Sequence, residues 1–358
     1  MSLSSFPVEE PSLRPPMAVV ILNWNGAQLL QRFLPSVLAH TPSSLADVVV
    51  VDNGSTDGSL ALLSDQFPSA KQLVFDCNLG YAGGYNRAVK ELDYPYLCLL
   101  NSDIELKETS KNWLERPIAL FNADPLLAAL QPKILSQKNP SFFEYAGAAG
   151  GYVDCLGYPF CRGRIFDTVE QDRGQYDSEQ AIFWASGACL FVRREAFLSV
   201  GGFDELFFAH MEEIDFCWRL HRAGFKVAFT PRSVVYHVGG ASLSESNPRK
   251  TFLNFRNNRL MLRKNLPSSQ YHWVRLIRFV LDLVSAFVFL LSGRPTHARA
   301  VVEALLDQQR PSTPPPTLFA RESRAPLTSF SILWQYHILG RKFFFLLPKD
   351  DTTQRFGK

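Results

Sequence analysis

Residues 47-DVVVVDNGSTDGS-59 decide the fold. Four consecutive valines suit a strand buried on both faces, as in a parallel sheet with helices above and below. The run stops at turn chemistry, and Ser59 stands where it would cap a following helix. Working outward, Met17–Leu22 is an earlier apolar run that stops at 23-NWNG-26, and a helical pattern follows from Ala27 to about Leu38. Lys71–Phe75 and Tyr96–Leu100 read as further strands, with the glycine-containing loop and helix 78-NLGYAGGYNRAV-89 between them. Strand, turn and helix repeat over about a hundred residues, which predicts a doubly wound, mostly parallel α/β sheet. In such sheets ligands bind beyond the carboxyl ends of the strands. Asp52 falls there, as does Asp103 in 101-NSD-103.

Residues 130–186 read as an inserted region of loops and short strands, rich in Gly and Tyr. Strand character returns at Ala181–Arg193, with Gly187 in its middle. An acidic helix is expected within Glu205–Ala223, followed by two short strands, Phe225–Phe229 and Ser233–His237, flanking Pro231. The basic, aromatic helix 252-FLNFRNNRLMLRKNLP-267 ends at its proline. In the apolar run 272-HWVRLIRFVLDLVSAFVFLLS-292, Arg275, Arg278, Asp282 and Ser285 share one narrow stripe. A helix of that kind packs in a core or lies in a membrane interface. Residues 310-RPSTPPP-316 read as a linker, and 337-HILGRKFFFLLPK-349 mixes basic and aromatic residues as a membrane surface attracts. The expected organisation is a disordered tail over 1–16, a sheet domain over 17–265 and a helical, membrane-associating extension over 266–358.

Bulk properties narrow the function classes. With 46% hydrophobic and 20% charged residues, the 358-residue chain is expected to pack a core. A net charge of +3 gives no ground for a nucleic-acid partner. The six cysteines include no Cys-x-x-Cys pair, which speaks against a zinc ribbon or a disulfide framework. The N-terminus lacks the apolar stretch of a secretory signal. No run reaches the roughly 18 apolar residues of a membrane-spanning helix.

Glu212, Glu213 and Asp215 place three carboxylates within four positions, where mutual repulsion raises one of them toward a useful pKa. Asp215 and Arg219 are i, i+4 partners, which leaves Glu213 the freer candidate for a general base. Asp52 is placed to accept from a nucleotide base or ribose. Asp103 offers a hard oxygen to a metal-bridged diphosphate, and His237 at the end of a short strand offers an imidazole nitrogen. That donor set suits Mn²⁺ or Mg²⁺.

The segments 20-VILNWNG-26, 50-VVDNGSTDGS-59, 78-NLGYAGGYN-86, 99-LLNSDIEL-106, 187-GACLFVRREAF-197, 201-GGFDELFFAHMEEIDFCWRL-220 and 234-VVYHVGGAS-242, in that order, resemble the bacterial family 2 glycosyltransferases of GT-A fold, particularly the rhamnosyltransferase-like branch. The resemblance implies an inverting transfer from a dTDP- or UDP-sugar to a saccharide or lipid-linked acceptor in cell-surface polysaccharide synthesis. It implies a cytoplasmic enzyme, peripheral on the inner face of the membrane. Nucleotide-sugar contacts are implied at Asn23, Asn25, Asp52, Gly80, Gly83, Asn101 and Ser102. Asp103 matches the last residue of the family's Asp-x-Asp metal motif, with Asn101 replacing the first, and His237 matches a histidine of the metal site in some relatives. The family's Glu-Asp pair falls on Glu212 and Glu213. Glu213 is the first choice for the base and Glu212 the second, with Asp215 as an acceptor-site or orienting residue. A nucleotidyltransferase would want a basic loop where 23-NWNGAQLL-30 has none. A non-catalytic nucleotide-sugar-binding scaffold at a membrane is the other alternative.

Overall fold

A computed structural model describes residues 14–239, 247–309 and 326–349. The tail over 1–13, residues 240–242 after His237 and the Pro-rich 310–316 lie outside the described residues.

The first half alternates as the valine run requires. It runs β1 (Met17–Asn23), α1 (Ala27–Ala39), β2 (Ala46–Asn53), α2 (Ser59–Gln66), β3 (Lys71–Phe75), α3 (Gly80–Glu91) and β4 (Tyr96–Leu100). Val49, Val50 and Val51 are almost wholly buried, because apolar side chains cover both faces of β2. Ser59 does not cap α2. It is the first helical residue, and its N–H donates to Asp57 Oδ1 at 3.0 Å. Gly84 of α3 lies so close to β1 that a Cβ there would stand 2.8 Å from Leu22 Cδ1.

Then come β5 (Ile104–Glu105), α4 (Glu115–Ala123) and β6 (Leu127–Ser136). Residues 151–169 form a small antiparallel sheet of β7 (Gly151–Val153), β8 (Pro159–Cys161), β9 (Arg164–Ile165) and β10 (Thr168–Val169). Next are β11 (Gln180–Ala181), β12 (Cys189–Arg193), α5 (Arg194–Ser199), α6 (Glu212–Arg222) and β13 (Lys226–His237). Gly187 therefore precedes β12 rather than lying inside a strand. The two short strands expected around Pro231 are one strand, whose register slips between Thr230 and Val234 so that the proline sits at an irregularity.

The main sheet runs β11-β13-β6-β12-β4-β1-β2-β3, with β5 beside β13. β3, β2, β1 and β4 are mutually parallel, as are β6 and β13, while β12 runs antiparallel between β4 and β6. With the short β11 and β5, which also run antiparallel beside β13, that reversal makes a mixed sheet with a mostly parallel core.

The acidic helix is locked to α7 (Pro248–Asn265) by a buried polar knot. Asp215 is fully buried and accepts from Arg219 Nε at 2.8 Å, Lys264 Nζ at 3.0 Å and Asn265 Nδ2 at 2.7 Å. Lys264 Nζ also donates to Asp204 at 2.8 Å. Beyond it lie α8 (Ser268–Leu291) and α9 (Pro295–Leu306). The middle of the expected polar stripe of α8 turns inward: Arg278 and Asp282 are buried, Arg278 donates to Asn258 Oδ1 and the Leu156 carbonyl, and Arg275 stays exposed. Most of the apolar residues face outward, while Val274 and Ala286 are buried. No helix among the described residues is long and apolar enough to cross a membrane.

Removing Asp215 strips buried Arg219 of its carboxylate and leaves Lys264 with Asp204 alone. Asp215→Ala is expected to cost about 3–5 kcal/mol of unfolding free energy, read by denaturant titration. A loss under about 1 kcal/mol would mean that the knot does not hold α6 and α7 together.

Candidate active site

The carboxyl ends of β1 and β2 meet in register at Asn23 and Asp52. Asn23 Nδ2 donates to Asp52 Oδ2 at 3.0 Å, and the Ser55 N–H donates to Asp52 Oδ1 at 2.8 Å. Asn23 Oδ1 is buried without a partner among the described residues, an acceptor left at the strand end. Asn25 serves the loop itself, since its Oδ1 accepts from the N–H groups of Thr56 at 2.7 Å and Asp57 at 3.3 Å. Asn53, which the sequence did not single out, ties this loop to the next. Its Nδ2 donates to Asn78 Oδ1 at 3.0 Å and to the Gly80 carbonyl at 3.1 Å. Gly80 opens α3 with φ +72°, and Gly83 lies one turn on beside Leu79 and Glu205. The start of α3 thus stands beside the Asp52 loop, and a helix N-terminus favours a diphosphate.

At the end of β4, Asn101, Ser102 and Asp103 turn the chain toward β13. Asp103 and His237 come together, with Asp103 Oδ1 3.1 Å from His237 Nε2, and the Asn101 amide nitrogen is 3.5 Å from the same atom. Glu144 lies on the other side of the ring, its Oε2 3.2 Å from Nδ1 but without hydrogen-bond geometry. Burial alone would push the imidazole pKa down. The bond to Asp103 and the charge of Glu144 outweigh burial and raise it to about 10. No motif in the irregular stretch 130–186 marks Glu144; only the fold brings it to His237. No group of three His, Cys, Asp or Glu side chains among the described residues forms a closed metal cluster. An oxygen and an imidazole nitrogen that share one point, with a carboxylate behind the ring, nonetheless fit an open divalent site completed by ligand oxygens.

Glu212 and Glu213 begin α6, and Oε2 of each is buried with no partner among the described residues. Burial raises both, Glu213 to about 7 and Glu212 well above its usual value, where the neighbouring Glu213 charge adds to the effect. Backbone N–H groups at the helix start hold Glu213 lower. Asp215 is different in kind. The knot described above saturates it and encloses it, so it orients the helix and reaches no ligand. Of the two roles expected for Asp215, its full burial and saturation fit the orienting one and leave no free oxygen for an acceptor or for catalysis.

Residues 186–188 are wedged between the acidic pair and the Asp103 turn. A Cβ on Gly187 would stand 2.7 Å from Tyr81 Oη and 3.9 Å from Glu213 Cβ, and the Tyr81 hydroxyl donates to the Gly187 carbonyl at 2.8 Å. The next residue, Ala188, accepts from the Asn101 N–H at 3.0 Å. One edge of the site therefore carries two carboxyls with raised pKa values, and the adjoining edge carries Asp103 and His237. That combination can take a proton from a hydroxyl beside a bound anion.

Comparison with known proteins agrees with this geometry. Residues 18–200 match the model of glycosyl transferase family 2, and residues 162–294 match glycosyl transferase family group 2. The chain is 30% identical over 239 residues, covering 62% of itself and 75% of the relative, to an N-acetylglucosaminyl-diphospho-decaprenol L-rhamnosyltransferase of Mycobacterium tuberculosis. It is 27% identical over 230 residues to the O-antigen biosynthesis protein RfbC of Myxococcus xanthus, covering 64% of this chain and 18% of that one. Among solved structures, GalNAc-T7 with UDP, GalNAc and Mn²⁺ superposes with a TM-score of 0.54 at 17% identity, over 70% of this chain and 48% of that one, a likeness of GT-A fold. A doubly wound sheet, an acidic pair beside its carboxyl edge and these matches lead to one conclusion: the chain is a glycosyltransferase and belongs to glycosyl transferase family 2.

Proposed function

We propose that the enzyme moves a sugar, with inversion, from a dTDP- or UDP-linked donor to a hydroxyl of a lipid-linked saccharide at a membrane surface. The observation that carries the reading is the pair of carboxylates at the start of α6, each with Oε2 buried and without a partner among the described residues, beside the turn that bears Asp103. The named activity of the mycobacterial relative supports L-rhamnose as the sugar and a polyprenyl-diphosphate saccharide as the acceptor.

Asp52 and Asn23 face the nucleoside, and the α3 N-terminus, with Gly80 and Gly83, faces the diphosphate. Glu213 takes the proton of the acceptor hydroxyl as its oxygen attacks the anomeric carbon, and the bond to the nucleoside diphosphate breaks on the opposite face. One carboxylate suffices, because no covalent sugar intermediate forms. Glu212, pushed up by burial and by the neighbouring Glu213 charge, is the second candidate for the base. Asp103 and His237 are the residues that would hold a divalent cation, Mn²⁺ or Mg²⁺, which when bound neutralises charge on the leaving diphosphate. Asn101 and Ser102 border that site, and a neutral Asn101 leaves it one carboxylate short.

The outward face of α8 supports the membrane part of the reading. Trp273, Leu276, Phe279, Val280, Phe287 and Leu291 are each at least half exposed. Arg275, in the first third of α8, and Arg294, just past its end, stand exposed, and no acid is exposed along α8. An apolar face with cations beside it complements an anionic lipid leaflet.

Glu213→Gln is expected to lower kcat by about 10²–10⁴-fold while donor binding stays within about twofold, measured with a panel of UDP-, dTDP- and GDP-sugars. Retained turnover, with loss in Glu212→Gln, would move the base to Glu212.

The base must be ionised, so kcat is expected to rise with pH through about 7. Stability runs the other way. Glu213 holds its proton more tightly folded than unfolded, so its stabilising contribution is complete below 4.5 and is lost as pH rises toward about 7. Glu213→Gln should flatten that part of the pH–stability curve in thermal unfolding, and an unchanged curve would contradict the raised pKa.

Wild-type enzyme is expected to sediment with vesicles containing phosphatidylglycerol, and Trp273→Glu with Phe287→Glu to stay in the supernatant. Equal sedimentation of both proteins, or of neither, would refute the membrane face.

A further inference from the structure

The loop that leads into α6 follows a path most residues avoid. Phe208, His210 and Met211 have φ of 63°, 70° and 74°, and none is glycine. The carbonyls along it are gathered by two neighbouring side chains of α7. Asn257 Nδ2 donates to the carbonyls of Phe207, Ala209 and His210, each at 2.8 Å. Arg256 Nη2 donates to the carbonyls of Leu206 at 2.8 Å and Phe207 at 3.1 Å, and its Nε donates to Asn257 Oδ1 at 2.9 Å. That last bond settles which way the amide faces, because a guanidinium only donates and a carbonyl only accepts. Both side chains are buried.

We propose that Arg256 and Asn257 are positioning residues for sugar transfer. They fix the left-handed path of residues 207–211, and with it the direction in which Glu212 and Glu213 leave the start of α6. The proposal rests on reading that pair as the base. The chemistry demanded at position 257 is narrow. An aspartate would set a carboxylate against three carbonyls, and an alanine would leave them without their shared donor. Neighbouring Asn258 serves as an internal control. It is equally buried on the same helix but faces away, donating to the Gly157 carbonyl at 2.8 Å and accepting from Arg278. Losing Asn258 loosens the packing of α7 without touching the loop.

The test compares full-length Asn257→Ala, Asn257→Asp, Arg256→Lys and Asn258→Ala with wild type. Hydrogen exchange of residues 205–213 reads the loop without any substrate. Turnover and its pH dependence are then measured with the nucleotide sugar that the panel above selects. The two Asn257 variants are expected to speed exchange over 205–213, to lower kcat on the order of a hundredfold with donor affinity within about twofold, and to move the rise of kcat to lower pH as water reaches the pair. Arg256→Lys, which keeps the charge, should fall between. Asn258→Ala should lower the melting temperature while kcat and the pH profile stay as in wild type. Unchanged exchange over 205–213 in Asn257→Ala overturns the proposal. So does a loosened loop with an unshifted pH profile and kcat within twofold. Failure of the base assignment shows separately, as turnover that survives in both Glu212→Gln and Glu213→Gln.

Discussion

Asp215 accepts at once from Arg219, Lys264 and Asn265, and the placing of the acidic pair on α6 against α7 depends on that knot. Buried carboxylates and cations tolerate no loose pairing, so α6 and α7 have one relative orientation in which all of these groups are satisfied. Fixing α6 aims Glu212 and Glu213. Fixing α7 brings Arg256 and Asn257 to the loop before them and Asn258 to Arg278 of α8. A single buried charge thus sets the relation between the acidic pair and the helix whose apolar face points away from the protein.

The pair at the start of α6 works against its surroundings. Burial without partners raises both carboxyls and makes the ionised form costly, which is the usual condition of a general base. On the neighbouring edge, Asp103 and His237 face each other with Glu144 behind the ring. The wedge at Gly187 and Ala188 keeps these two edges side by side. Its glycine matters because a Cβ there would press on the Tyr81 hydroxyl that donates to the Gly187 carbonyl.

The valines of β2 made the parallel half of the sheet legible, because an uninterrupted apolar strand has few other places to go. Asp52, Asp103, His237 and the acidic pair were legible because each abuts a strand end or a helix start. The direction of β12 was not, since a buried apolar run reads the same in a parallel or an antiparallel neighbour. Pro231 suggested a break where a register slip absorbs it. Asp215 was visible as an acid but not as a saturated one, since Lys264 and Asn265 lie about fifty residues away. Glu144, Asn53 and Asn257 carried no local signal, because their roles exist only through partners that the fold supplies. The polar stripe of α8 is visible in the sequence, but only the packed structure tells that Arg278 and Asp282 face inward while Arg275 does not.

The central claim is a direct displacement at the anomeric carbon, driven by one carboxylate at the start of α6. The measurement that tests it most directly is proton NMR of the first product formed from a donor of known anomeric configuration. The account predicts a product of opposite configuration, with no build-up of a covalent sugar adduct on the protein. A product of retained configuration would contradict it, because retention needs a second displacement that this pair of side chains is not arranged to perform.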